Sequence, residues 1–147
     1  DKKGISMNAN ALQELIVKYE GRLSRISETE AEVVVGSQWT RKQVMGHLID
    51  SAANNHQRFV RLQQGNLIGF PGYEQVQWVA AGDYSRNTWA NLVALWTQYN
   101  RQLVIVIEHI DQRCASNVWE EKSLTLESII NDYARHVQHH LEQLNVK

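Results

Sequence analysis

The chain has one cysteine and one proline among its 147 residues. A single thiol, Cys114, excludes an internal disulfide framework and any thiolate-rich zinc site. It also makes a reducing, cytoplasmic setting the expectation. Charge of one sign is missing as well: 15 basic against 16 acidic residues leave a net charge of −1 and a pI near 6.7. That balance supplies no bulk attraction to nucleic acid or to an anionic membrane. Apolar runs are only a handful of residues long, whereas a bilayer-spanning helix needs roughly 20. Several catalytic signatures are also absent. Without HExxH there is no metalloprotease pattern, and without Glu-x-x-His no di-iron carboxylate bundle. Without CxxCH there is no covalent haem, and no phosphate-cradling glycine loop or GxSxG elbow occurs. The segment DKKGIS precedes Met7 with no signal-peptide pattern. It is read as a processing remnant and assigned no function.

What is present is a domain's worth of helical patterning. The length fits one domain, residues 1–147, with a substantial core. Leu12, Leu15, Ile16, Tyr19, Leu23 and Ile26 follow the rhythm of an amphipathic helix over about residues 8–29. Thr40 and Gln43 form a capping-box pattern, with Trp39 and Val44 as its hydrophobic staple. That start signal opens a second helix ending near Gly65. A third is expected from Ser85 as N-cap, with Tyr84 and Trp89 as staple, and a fourth after Thr125. Val33–Val35 could be a short extended piece, too short for a sheet. The predicted architecture is an all-α four-helix bundle. Its main interruption runs from Gly65 to Asp83 and holds four glycines and Pro71. At this length it is a crossover or a lid, with room for a short helix near Tyr73 to Ala80.

Six histidines and five tryptophans are a little rich for the length. On a wheel at about 100° per residue, His140 lies about 40° and His136 about 80° from the centre of the fourth helix's apolar face. His139 falls about 140° away, toward solvent. His136 and His140 therefore point at the bundle as an i, i+4 pair able to grip one ion. His47 heads a polar stripe in the second helix that continues through Ser51, Asn54 and Arg58. Such a stripe beside a core is costly unless it lines a wet pocket. Asp50, one turn from His47, is a candidate to orient an imidazole or a bound water through a hydrogen bond. An imidazole at a core edge is as readily a hydrogen-bonded structural group as a ligand, so the residues alone leave both readings open. His56 and His109 show no convergence and read as solvated or structural. The aromatic positions of the third helix read as core rather than as a base-stacking platform.

Four stretches, taken together, resemble the DinB-like superfamily, in particular its YfiT-like branch of metal-dependent hydrolases and thiol S-transferases. They are WTRKQVMGHLIDSAANNHQRF, PGYEQVQW, LWTQYNRQL and DYARHVQHHLEQL, spread over about residues 8–145. The resemblance implies an up-down-down-up bundle, the long second connection serving as crossover. It implies a divalent metal held by His47, His136 and His140, with nickel or zinc expected and iron compatible with the donors. It implies hydrolysis, or transfer of a low-molecular-weight thiol to a small electrophile, in detoxification or stress response. Asp50 would be an orienter or base, and Asn54 and Arg58 would serve a polar or anionic small-molecule substrate. No dedicated base stands beside the metal pair, which favours thiol transfer. Cys114 lies outside the matching stretches and reads as incidental. A homodimer is a further expectation. The rival from another class is a metal-binding bundle without catalysis, acting as a stress-related interaction module.

Overall fold

The computed structural model describes residues 2–36 and 38–145, with no account of the side chains of Lys2 and Lys3. Helix α1 spans Lys2–Ser24 and starts well before the expected residue 8. Asp1 lies outside the described residues, but the remainder of DKKGIS is helical and Ile5 is buried in the core. The segment set aside in the sequence is therefore part of the bundle. The helix also stops short of residue 29, because Ser27 opens a new turn. Its hydroxyl accepts from the Glu30 amide while the Glu30 carboxylate accepts from the Ser27 amide, a capping box that starts α2, Glu28–Ala31.

The extended piece expected near Val33–Val35 does find a partner. Strand β1, Val34–Val35, pairs antiparallel with β2, Trp39–Thr40. Thr40 then caps α3, Arg41–Arg61, through the expected capping box with Gln43. Lys42, in the first turn of α3, is buried and pairs with Glu28 at 2.9 Å and Glu32 at 2.7 Å, which fastens α2 to α3.

The connection after α3 carries α4, Gln75–Gly82, close to the short helix expected there. Asp83 ends it in the left-handed region and leads into a 3₁₀ turn, Tyr84–Arg86. Ser85 sits inside that turn and cannot cap the next helix. The cap is Thr88, whose hydroxyl accepts from the Asn91 amide at 3.1 Å, and α5 runs Trp89–Glu108. Trp89 packs against the end of α1, its indole N–H donating to the Leu23 carbonyl at 2.7 Å. Tyr84, expected as its staple partner, packs on α3 instead. Strands β3, Val118–Trp119, and β4, Leu124–Thr125, form a second two-residue ladder. Thr125 caps α6, Leu126–Gln143, as expected.

The four long helices form a bundle with up-down-down-up order. Both α1 and α3 pack against α5 and α6, so α1 and α3 occupy opposite corners. Leu12, Ile16, Leu48, Phe59, Trp96, Leu103 and Leu126 are fully buried between them. Because α3 and α5 run parallel, their connection must travel back along the bundle, and this is why the crossover is long. Its first part is stitched to the segment before α6. The Leu67 amide donates to the Val118 carbonyl at 3.0 Å, and the Glu120 amide donates to the Leu67 carbonyl at 2.9 Å. Among the described residues, no helix is long and apolar enough to cross a membrane.

Gly46 explains how the returning chain gets close to α3. A Cβ there would lie 2.0 Å from Tyr84 Cδ2 and 2.4 Å from its Cγ, so the ring rests directly on the helix backbone. Gly46→Ala should gain about 1 kcal/mol of helix propensity. It should lose more, about 1–3 kcal/mol, by displacing Tyr84 from a packed position. Net destabilisation in urea unfolding is the expected outcome, and an unchanged or raised midpoint would contradict the packing described.

Candidate metal centre

Helices α3 and α6 are neighbours, and at their junction three imidazoles meet. His47, His136 and His140 each offer a ligand nitrogen, and these atoms all lie within 4.8 Å of one another. His47 is fully buried, and the other two are half-buried. The Nε2 atoms of His47 and His136 are 3.3 Å apart. His140 reaches Gln143 Oε1 through Nδ1 at 2.9 Å, which leaves its Nε2 free. The β1–β2 hairpin contributes Trp39, whose ring centroid is 5.2 Å from that of His47 and which covers it on one side. His139 is exposed, as its helical phase requires.

Burial pushes the His47 imidazole down to about 3 and the neighbouring imidazoles push it the same way. The same two causes take His136 to about 4, and burial lowers His140 as well, partly opposed by its bond to Gln143. All three are therefore neutral near pH 7, the form that ligates metal. With a proton between them the two Nε2 atoms share a hydrogen bond; with both bare, two lone pairs face each other, and a cation relieves that opposition. Two nitrogens each about 2.0–2.1 Å from a tetrahedral zinc stand about 3.4 Å apart. The observed spacing fits. A set of three imidazoles suits zinc, nickel or iron and not calcium or magnesium, which take oxygen donors.

A cleft of about 540 Å³ opens beside the histidines, with His136 in its wall. Ser51, Asn55 and Arg58 line it from α3, Tyr73 and Glu74 from the crossover, Trp119 and Lys122 from the β3–β4 segment, and Asp132 from α6. Two residues of the expected stripe, Ser51 and Arg58, are thus in place. Asn54 is not: it is half-buried outside the cleft wall, its amide turned back to the Asp50 carbonyl at 2.9 Å. Asn55, one position on, is buried and lines the cleft. Asp50 is turned aside too. The returning chain covers it, the Tyr84 hydroxyl donates to its Oδ1, and its other oxygen has no partner. No hydrogen bond joins it to a histidine, and His47 Nδ1 is buried without a partner. Burial raises the Asp50 carboxyl above its ordinary value, opposed by the Tyr84 hydrogen bond.

Tyr73 and Trp119 reach the cleft from connections; Tyr73 lies in the PGYEQVQW stretch, whereas Trp119 carries no sequence signal for it. His56 is a structural group hydrogen-bonded to the Tyr99 hydroxyl at 2.8 Å, and His109 is exposed at the end of α5. Cys114 is half-buried and donates to the Gln63 carbonyl.

The sequence profile of the DinB superfamily matches residues 11–144. Among solved structures, the fold is similar to that of YfiT from Bacillus subtilis, described as a probable metal-dependent hydrolase with an unusual four-helix bundle topology. The TM-score is 0.85 at 18% identity, covering 98% of this chain and 85% of that one. No curated protein matches the sequence.

Two outcomes follow from the geometry. His47→Ala and His136→Ala should each abolish stoichiometric zinc or nickel binding, and His139→Ala should not; elemental analysis decides, and full occupancy in His47→Ala would overturn the site. The second concerns the metal-free protein. His47 and His136 sit near 3 and 4 in the fold, below the ordinary 6.5 they regain on unfolding. Below pH 6.5 the unfolded chain therefore binds more protons, and stability falls progressively as pH drops toward those lower values. Urea midpoints should be lower at pH 5 than at pH 7.5, and a His47→Gln, His136→Gln double variant should flatten that slope.

Proposed function

The chain belongs to the DinB superfamily, and from that premise we propose that it is a metal-dependent enzyme acting on a small molecule, with His47, His136 and His140 as the ligands. The observation that carries this reading is the convergence of three neutral imidazoles, one of which, His136, lines a cleft. The described residues add no fourth histidine, cysteine or carboxylate to the cluster. A purely structural metal is ordinarily closed by four protein ligands, so a three-residue set beside a cleft favours catalysis over the binding-module alternative. A divalent ion in this position supplies Lewis acidity, lowering the pKa of a nucleophile, water or thiol, toward neutrality.

The chain's own residues do the rest. Trp39 covers His47 and limits water on that side. The Tyr73 phenol, raised by burial, keeps its proton and so stays a donor toward the cleft, near the Ser51 hydroxyl. Hydrolysis, the activity named for YfiT, is the first reading. In that reading Asp132, one helical turn from His136 and in the same wall, would take a proton from the nucleophile. The hydrogen bond of Asp50 to Tyr84 supports the second reading, transfer of a low-molecular-weight thiol. It engages the carboxylate one turn from His47, and thiol transfer asks less of a protein base.

Protein loaded with zinc or nickel should accelerate either hydrolysis of p-nitrophenyl acetate or transfer of N-acetylcysteine to monochlorobimane. The metal-free protein and His136→Ala should do neither. Asp132→Asn should slow hydrolysis by about 10²-fold or more if it is the base, and leave thiol transfer nearly unchanged. Equal rates with and without metal in both assays would return the chain to the non-catalytic reading.

A further inference from the structure

Far from the histidines, the cleft holds a cation with no counter-charge. The Arg58 guanidinium lies over the Trp119 ring at 4.6 Å and within 5.6 Å of the Tyr73 ring. Trp119 is itself fixed, since its indole N–H donates to the Phe70 carbonyl at 2.9 Å and only 3% of it is exposed. A guanidinium stacked on aromatic rings is engaged through its faces, which leaves its N–H donors free at the edge. That edge is nearly unused. Arg58 Nε is buried without a partner, and its one hydrogen bond, from Nη1 to Asn55 Oδ1, is long at 3.4 Å.

A second cation approaches the same indole: Lys122 Nζ is 5.9 Å from the Trp119 ring centroid. Among the described residues, neither Arg58 nor Lys122 has a carboxylate within ion-pair distance. Glu74 and Asp132 are also in the cleft wall, but Glu74 is exposed and Asp132 sits 3.5 Å from Arg135. Two cations near one ring repel each other, and a half-buried guanidinium whose Nε–H has no acceptor is costly. An anion at the Arg58 edge supplies the missing acceptor and offsets the repulsion, and the rigid fork of Arg58 matches a planar carboxylate in two parallel bonds.

We propose that the cleft binds an elongated organic carboxylate, its carboxylate anchored by the edge of Arg58 and by Lys122 above Trp119, its body running toward His136. Arg58 follows His47 by three helical turns, about 16 Å along the axis of α3. A ligand that reaches both ends is therefore longer than acetate or lactate. The reactive end rests on the metal reading above, whereas the carboxylate anchor does not need the metal.

The test titrates hexanoate, hexanamide and hexylphosphonate into the metal-free full chain, by calorimetry and by nitrogen-edited NMR of the Arg58 Nε–H. Hexanoate should shift that resonance and bind at least about tenfold more tightly than hexanamide. Arg58→Gln should remove most of this preference, Arg58→Lys should restore little of it, and Lys122→Gln should weaken hexanoate a few-fold. Equal affinity for hexanoate and hexanamide would overturn the proposal, as would unchanged binding in Arg58→Gln. Hexylphosphonate binding more than about tenfold tighter than hexanoate would reassign the anchor to a phosphoryl group. Should Arg58→Gln lose its fold by circular dichroism, the amide comparison on the unaltered chain and Lys122→Gln decide. Elemental analysis separates the two readings. Full metal without carboxylate preference sinks the anchor alone, and carboxylate preference without metal binding sinks the metal reading alone.

Discussion

Burying three imidazoles against one another at the junction of α3 and α6 is the constraint on which the rest of this molecule turns. Each would be more stable solvated and free to protonate. Packed together they are held neutral, and His47 Nδ1 is left without a hydrogen bond. A fold accepts that loss only when its other parts fix the geometry. Here Thr40 fixes the start of α3, Lys42 fastens it to α2, and Trp39 is placed over His47 by the β1–β2 hairpin. The neutral, converging nitrogens are the form of imidazole that a divalent cation requires.

The same topology builds the cleft. Parallel α3 and α5 force a long return, and that return does two jobs. Its early part, bonded to the segment before α6, seats Trp119 under Arg58. Its later part lays Tyr84 on Gly46 and takes up the Asp50 carboxylate. One side of α3 is thus sealed and the other left open, with the histidines at one end of the opening and an unpaired guanidinium at the other.

Much of this was legible along the chain. Capping boxes reveal helix starts because they are local, and Thr40 and Thr125 begin α3 and α6 where expected. Ser85 misled because a 3₁₀ turn, set by the packing of Tyr84 on α3, consumes it before α5 begins. The inward phase of His136 and His140 and the outward phase of His139 follow from helical geometry alone. The two asparagines were distinguishable in the same way. Asn55 falls among Leu48, Ala52 and Phe59 on the apolar face of α3, and Asn54 lies about 100° further round. Asp50 was expected at the metal because it is one turn from His47, yet the partner that claims it arrives from thirty-four residues away.

The four long helices, the crossover and the two histidine-bearing faces can be read along the chain, since periodicity and caps act within a few residues. So can the family, through motifs spread over nearly the whole length. Only the tertiary structure decided that His47 meets His136 across the bundle, that Asp50 turns away, and that Trp119 and Tyr73 enclose Arg58. Those contacts join residues with no common local period, and their partners are chosen by the packing of helices and by where the connecting segments return.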